Sequence, residues 1–423
     1  MPSADSRLKK GLARPTKTDS RQIIEAAAEP AAWGDGRAVP SLKELLLAAR
    51  PDVRKAAALA LAGQGQPDWR LWIQGDDLDF IRIAKSADLD ALEKLKDVLD
   101  KAGLDVRRTV EKSVASALPE ARGEKPFDAF RRLVKRNLVK VAQIHAADKD
   151  HRAAQLLKEL LGEPDGEFLK KDLERAALLD IDLRNMSLAG ADLRFAYLNG
   201  ARLSGADLAG ANLQGAHLKE ALLNSANMRG ADFWQAELKD AYLNQSDCGK
   251  ANFKQAYLFG ANLSAADLGK AVLYRASLTQ ASLEQVRLCE ADLTEALLQW
   301  VRAAGADIRE SCLRNADATG ADLSRSILHR CDLSGAVFFS ANFAGAVIAD
   351  CRLSGATLDH AYLEGTVLAL LDLRDVGGLS PQQLAKADCL YEVKLPDALE
   401  SDLRRDHPRL FRPFDVSALM NKK

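Results

Sequence analysis

From Asp172 to Leu373 the chain repeats every five residues without losing register, and the consensus reads A-[D/N]-L-x-x. A large apolar residue marks the centre of each unit, from Leu173, Leu178 and Leu183 to Leu363, Leu368 and Leu373, and none of these centres is charged. Two positions earlier stands a small residue, usually Ala (Ala191, Ala196, Ala201), occasionally Ser246, Cys331, Cys351 or Thr366. The other three positions are polar or Gly. A period of five fits neither a helix at 3.6 residues nor a strand at 2. Fixed-period similarity of this kind means stacked units, each burying its apolar positions against the next. Two inward residues per five, one small and one large, then line a narrow core, with a bend in every unit.

The run resembles the pentapeptide-repeat family. That resemblance implies a right-handed quadrilateral β-helix with one repeat per side, four per coil and about ten coils over residues 166–373, about 45 to 50 Å long at the usual strand spacing. Each buried centre contributes roughly 1.5 to 3 kcal/mol, enough to dispense with metal or disulfide.

Residues 20–165 differ in kind. Their periodicity is helical, and the segments near 20–28, 39–49, 51–62, 76–86, 88–102, 104–118 and 126–161 read as helices. The expected fold class is therefore α+β: an all-α N-terminal domain, the β-helix, and a short helical C-terminal cap. Gly34 to Asp68 resembles a single HEAT-type helix pair; an unrelated helical bundle fits the Ala-rich pattern as well. Pro126 to Gly162 is amphipathic, and Arg131, Arg132, Lys135, Arg136 and Lys140 fall mostly on one face, read as solvated. Gly162 to Gly166, around Pro164, marks the boundary. Residues 1–19 form a polar tail read as disordered. They lack the apolar middle of a signal peptide.

Residues 374–423 leave the repeat. Ser380 before Pro381 is a helix start. An open β-helix end exposes apolar core and unpaired edges, which Leu379, Leu384, Leu390, Leu395 and Leu399 are placed to cover. The segment is similar to the one that follows the coils in many bacterial family members, some of which dimerise through it.

Composition sets limits on function. Charged residues make up 28% of the chain, yet the formal net charge is −1, so no general attraction to nucleic acid or anionic membrane exists. No stretch is long and apolar enough for a membrane span. The six His are scattered and the six Cys form no CxxC or Cys/His cluster, so neither metal nor cofactor is expected. Cys331 and Cys351 fill inward slots twenty residues apart, one coil apart in the expected fold. They read as small core residues, with a stacked disulfide as the alternative. No nucleophile elbow, phosphate loop or dinucleotide fingerprint occurs, and the Gly residues follow the five-residue period instead. The expectation is a non-enzymatic protein.

Sorting residues twenty apart into columns distinguishes the walls. The wall through Leu173 and Leu193 carries Asp192, Asp232, Asp292 and Asp332 just before its centres, interrupted by Val272, Cys312 and Arg352. The wall through Leu178 and Leu198 carries Tyr197, His217, Glu237, Tyr257, Ser277 and Leu297 at that place, with Phe259, Trp300 and Phe339 beside them. Exposed aromatic residues in a row on a soluble rod mark a contact surface, or else a ladder that stabilises stacked strands. The expected function is a cytoplasmic scaffold or adaptor that uses Tyr197, Tyr257, Phe259, Leu297, Trp300 and Phe339 to hold a protein partner or a second copy, without direct nucleic-acid contact. A homodimer through the cap or this wall fits the same reading. The resemblance offers an alternative, mimicry of DNA that inhibits or protects DNA gyrase, for which the acidic wall would serve. Against it stand 19 basic residues beside 25 acidic ones from Lys171 to Asp372. A translocated bacterial effector addressed by the polar tail is a third reading.

Overall fold

A computed structural model of the protein describes residues 73–74, 77–78, 84–86, 89–100, 126–147, 156, 159–160 and 173–412. They fall into two compact units, divided after His145. The expected tail 1–19, the HEAT-like stretch 34–68, the helices at 20–28, 39–49, 51–62 and 104–118, and the boundary near 165 lie outside the described residues.

In the first unit, α1 (Leu89–Asp100) buries Leu89, Leu92, Leu95 and Leu99, one stripe at helical spacing. The second helix, α2 (Pro126–Ala147), opens on a proline whose missing N–H costs nothing at a first turn. It buries Phe130, Val134 and Leu138. Beyond it, Leu156, Glu159 and Leu160 are again helical. Two expectations are corrected. Within 76–86, residues Asp77–Leu78 form a strand, β2, paired antiparallel with β1 (Ile73–Gln74), so the unit is not all-α. The basic face of α2 is not uniformly solvated either. Lys135 is fully buried with its ammonium 3.9 Å from Asp100, which also takes Arg131 at 2.5 Å and Lys96 at 3.1 Å. Burial pushes the Asp100 carboxyl upward, but the hydrogen bonds from Arg131 and Lys96 and the charge of Lys135 prevail and hold it below the usual range.

The repeat region is a β-solenoid with a twenty-residue rise. Parallel bridges join each residue before a centre to its counterpart twenty on, from Ala177 and Tyr197 to Thr357 and Gly377. The ladder widens to three-residue strands only towards the C-terminal end, in β3 (Asp307–Arg309), β4 (Ile327–His329), β5 (Val347–Ala349), β6 (Val367–Ala369) and β7 (Cys389–Tyr391), five parallel strands in sequence order. Continuous strand therefore spans about four turns, where about ten coils were expected. Elsewhere a wall contributes one bridging residue per coil.

Backbone accounting explains the five-residue unit. The centre donates to the coil ahead (Leu193 N to Asn212 O, 2.7 Å), its predecessor to the coil behind (Asn212 N to Ala191 O, 2.8 Å), and the small residue closes a turn on the previous centre (Ala196 N to Leu193 O, 3.1 Å). The second turn residue donates forward (Phe195 N to Gln214 O, 2.9 Å). Every one of these second turn positions from Arg175 to Leu370 is left-handed, with φ between 52° and 70°. That is the third-residue conformation of a type II turn. Only the first turn residue keeps a free N–H. The Asp or Asn before the centre caps it, as in Arg194 N to Asp192, Trp234 N to Asp232 and Ser264 N to Asn262, at 3.0 to 3.3 Å.

The inward residues from Leu188 to Leu373 are buried, and near the start of the run Met186 is half-buried. Larger rings pack in the core: Phe233 stacks on Phe253 one coil on at 4.8 Å, and Phe338 meets Phe343 of the next wall edge-on at 5.3 Å. At the C-terminal end α3 (Pro381–Leu384) begins at Ser380 in a capping box with Gln383. Gln383 Nε2 also donates to Leu358 O and Ala361 O, 3.0 and 3.2 Å away, tying the helix to the last coils. Two extra residues enter the step here: Val367 pairs with Cys389, twenty-two residues on. Leu384, Leu390 and Leu395 are buried, while Leu379 and Leu399 are half-buried. A last helix, α4 (Asp397–Asp406), and a 3-10 turn (Pro408–Phe411) follow and bury Leu403 and Leu410.

Candidate interaction surface

Tyr197, His217, Glu237, Tyr257, Ser277, Leu297, Asp317 and Val337 form one bridged column, so the wall sorted from the sequence exists as a wall. Of the six residues singled out on it, Tyr197, Tyr257, Leu297, Trp300 and Phe339 are exposed, and Phe259 is half-buried. Two groups result. Tyr197 stacks on His217, ring centroids 4.9 Å apart, and His217 Nδ1 meets Glu237 at 2.8 Å. Past this polar break, the Tyr257 and Phe259 rings lie 6.2 Å apart, with Lys239 Nζ 5.7 Å from the Phe259 ring; Leu297, Trp300 and Phe339 follow, and Phe339 meets His360 edge-on at 5.4 Å. Val337 continues the bridged column between them.

Trp300 is the most conspicuous of these residues. It occupies a second turn position with φ of 56° yet is 60% exposed. Its ring lies over Gly320, one coil on, where an added Cβ would come within 2.4 Å of the indole. The same device recurs on the neighbouring wall, where Phe195 covers Gly215 at 2.7 Å. Between the aromatic residues the wall is polar and internally bonded. Asp317 accepts from Thr319 Oγ1 (2.6 Å), Thr319 N (3.0 Å) and Gln299 Nε2 (2.7 Å), which together outweigh burial and hold its carboxyl below the ordinary range.

Sequence sorting missed Tyr242 and Tyr362, 45% and 62% exposed, before the centres of the adjacent wall. The signal was available in the column running from Asp182 through Arg202, Leu222, Tyr242 and Asn262. Also missed was a buried outer face. On the wall through Leu188, the residue before the centre changes from Asp247 and Asp267 to Ile327, Val347 and Val367, and Val347, Ala349, Val367 and Ala369 are buried although two of every three point away from the coil interior. Stacked β-branched residues twenty apart were the sequence mark of that covered face.

The acidic wall is differently employed. Asp192 caps Arg194 N and forms a paired bridge with the Arg194 side chain at 2.7 and 2.8 Å. Asp232 takes Trp234 N, Gln214 Nε2 and Asn252 Nδ2; Asp292 takes Thr294 N; Asp332 takes Ser334 N and Oγ. Neighbouring ridges neutralise themselves between coils, as Lys270 to Glu290 (3.2 Å), Arg275 to Glu295 (2.6 Å) and Arg330 to Asp350 (3.4 Å) show. Among the described residues no cluster of His, Cys, Asp and Glu is arranged to hold a metal, and no helix is long and apolar enough to cross a membrane.

The family model for pentapeptide repeats matches eight copies, in overlapping segments from residue 172 to 375. None of the curated proteins compared with the chain matches it. Among solved structures, the chain is similar to HetL, a pentapeptide-repeat protein involved in heterocyst differentiation regulation in the cyanobacterium Nostoc, at 32% identity over 45% of this chain and 87% of that one, with a TM-score of 0.29. It is also similar to full-length QnrB1, a plasmid-mediated fluoroquinolone resistance protein (18% identity, 54% and 96% covered, TM-score 0.22), and to a thylakoid-lumen pentapeptide-repeat protein of Arabidopsis thaliana (25% identity, 30% and 74% covered, TM-score 0.15). With its unbroken five-residue register, its stacked Leu and Ala columns and the match of the family model, shared with a relative 32% identical, the chain belongs to the pentapeptide-repeat family.

Proposed function

We propose that the protein is a non-enzymatic adaptor whose β-helix offers the wall from Tyr257 to Phe339 to a protein partner. One observation carries the reading: Trp300 stands 60% exposed at a left-handed turn position. Glycine adopts that backbone freely, whereas a bulky residue there carries a steric cost and exposes a large apolar surface. Elsewhere on the β-helix these turn positions are held mostly by Gly or by polar residues, so the large apolar surface of Trp300 stands out. Tyr and Trp in a row are the anchors that protein interfaces favour, and Tyr257, Leu297 and Phe339 extend the patch along one face. The acidic wall supports the gyrase-directed reading poorly, because its carboxylates are engaged in capping turns and the column is broken by Val272, Cys312 and Arg352.

The triple variant Tyr257→Ser, Phe259→Ser, Trp300→Ser tests the proposal. The expected result is an unchanged circular dichroism spectrum, with loss of at least 100-fold in affinity for whichever protein the wild type captures from its host lysate, roughly the effect of two hot-spot residues at 2 kcal/mol or more each. Capture undiminished by the triple variant overturns it.

A further inference from the structure

Inward slots of the coils are filled by Ala almost throughout, yet on the wall through Leu333 and Leu353 two consecutive coils carry Cys331 and Cys351. The residues that follow them, Asp332 and Arg352, are bridged partners in parallel register, so the two cysteines are stacked neighbours at the strand spacing of about 4.8 Å, inside the Cα range that a disulfide spans. Both thiols are free and both residues buried, 2% and 7% exposed. They already interact. Cys331 N donates to Cys351 Sγ at 3.4 Å, Cys331 Sγ lies 2.5 Å from Ile308 O, and Cys351 Sγ lies 3.3 Å from Ala349 O.

We propose that Cys331 and Cys351 form a peroxide-sensitive dithiol that closes to a disulfide and clamps two successive coils of the rod. The two thiols are unlike, as such chemistry requires. The neighbouring Cys351 thiol favours the Cys331 thiolate against its burial, while the Cys331 thiol and burial push the Cys351 thiol up. Cys331 is taken as the sulfur that attacks and Cys351 as the one that resolves; exchanging the roles gives the same disulfide. In the first step the Cys331 thiolate displaces hydroxide from hydrogen peroxide, giving a sulfenic acid; the hydroxide takes up a proton as water. In the second, the Cys351 sulfur attacks the sulfenic sulfur, the S–S bond forms, and the sulfenic hydroxyl leaves as a second water with the Cys351 proton. Two thiols and one peroxide become one disulfide and two waters. Cys248 is the internal contrast: it is fully buried, its thiol is pushed up to about 12 by that burial despite the Ser246 hydroxyl, and no second thiol stacks on it.

The test uses the full chain treated with graded hydrogen peroxide, then alkylated in denaturant and digested without reductant. The expected product is a cross-linked peptide pair joining Cys331 to Cys351, two hydrogens lighter than the free peptides and released by dithiothreitol, while Cys248 stays alkylatable. The oxidised protein melts several degrees above the reduced one. Cys331→Ala supplies the control, since Ala fills this slot in most coils and the variant keeps the fold: it forms no cross-link, and its melting temperature does not rise with peroxide. Both thiols remaining alkylatable, oxidation of each to separate acids without a linked peptide, or an equal melting shift in Cys331→Ala overturns the proposal.

Discussion

Asp332 shows what a single residue does in this rod. Its carboxylate accepts from Ser334 N at 3.1 Å and Ser334 Oγ at 2.6 Å, satisfying the one backbone donor that the coil-to-coil ladder leaves over. A cap of this kind is worth about 1 kcal/mol. Asp332→Ala is expected to lower stability by about that amount in a denaturant titration, whereas Asp332→Asn, which retains the accepting oxygen, changes it by a few tenths. Gly320 gives the complementary case. Its φ of 66° puts a Cβ under strain, and the indole of Trp300 leaves it no room. Gly320→Ala should cost at least 1 to 2 kcal/mol, and a double-mutant cycle with Trp300→Gly should recover the part due to the ring and leave the part due to the backbone. Full additivity would show that the indole does not rest on the glycine. The Asp and Asn column was visible in the sequence, but whether it served turns or a charged surface depended on where each side-chain oxygen pointed.

Elements are short here, so their ends matter more than their propensities. Strands of one to three residues cannot hold themselves; they persist because each is bonded above and below. The last coil has nothing above, and α3 and β7 take that place. Ser380 and Gln383 close both ends of a capping box, Gln383 reaches the carbonyls of Leu358 and Ala361, and Leu384 is fully buried beneath. Leu384→Ala is expected to destabilise the protein by 2 to 5 kcal/mol, with hydrogen exchange quickening first in the coil around Leu358 and Leu363. Exchange that rises evenly along the rod would show that the cap does not protect the end selectively. The Ser-Pro helix start was legible because capping chemistry is local. The strand pair Ile73–Gln74 and Asp77–Leu78 escaped a periodicity reading because two-residue strands carry no period to count.

At the scale of the whole molecule, charge is arranged to cancel. Many carboxylates on the rod have a cation within reach one coil away or two residues on, as with Asp192 and Arg194, Asp267 and Arg287, or Asp307 and Arg309. Exposed pairs of this sort add little stability, 0 to 1 kcal/mol each, but they remove the continuous negative potential that a phosphate-like ridge would need. Changing Asp192, Asp232, Asp292 and Asp332 together to Asn keeps the caps and deletes the charge. The variant is expected to fold and to capture its partner as the wild type does. Loss of capture with the fold intact would transfer the binding site to that wall.

The sequence by itself determined a stacked solenoid, because a strict period with uncharged centres must bury those centres against one another, and the family resemblance supplied four units per coil and with them the walls. Tertiary structure decided the rest. Which outward residues are free, which cap a turn and which lie under another segment depends on neighbours twenty residues away, so Trp300 emerged as exposed while Val347 and Val367, equally apolar, are covered. A column in the sequence gives position on a wall; solvent access is a property of what packs against that wall.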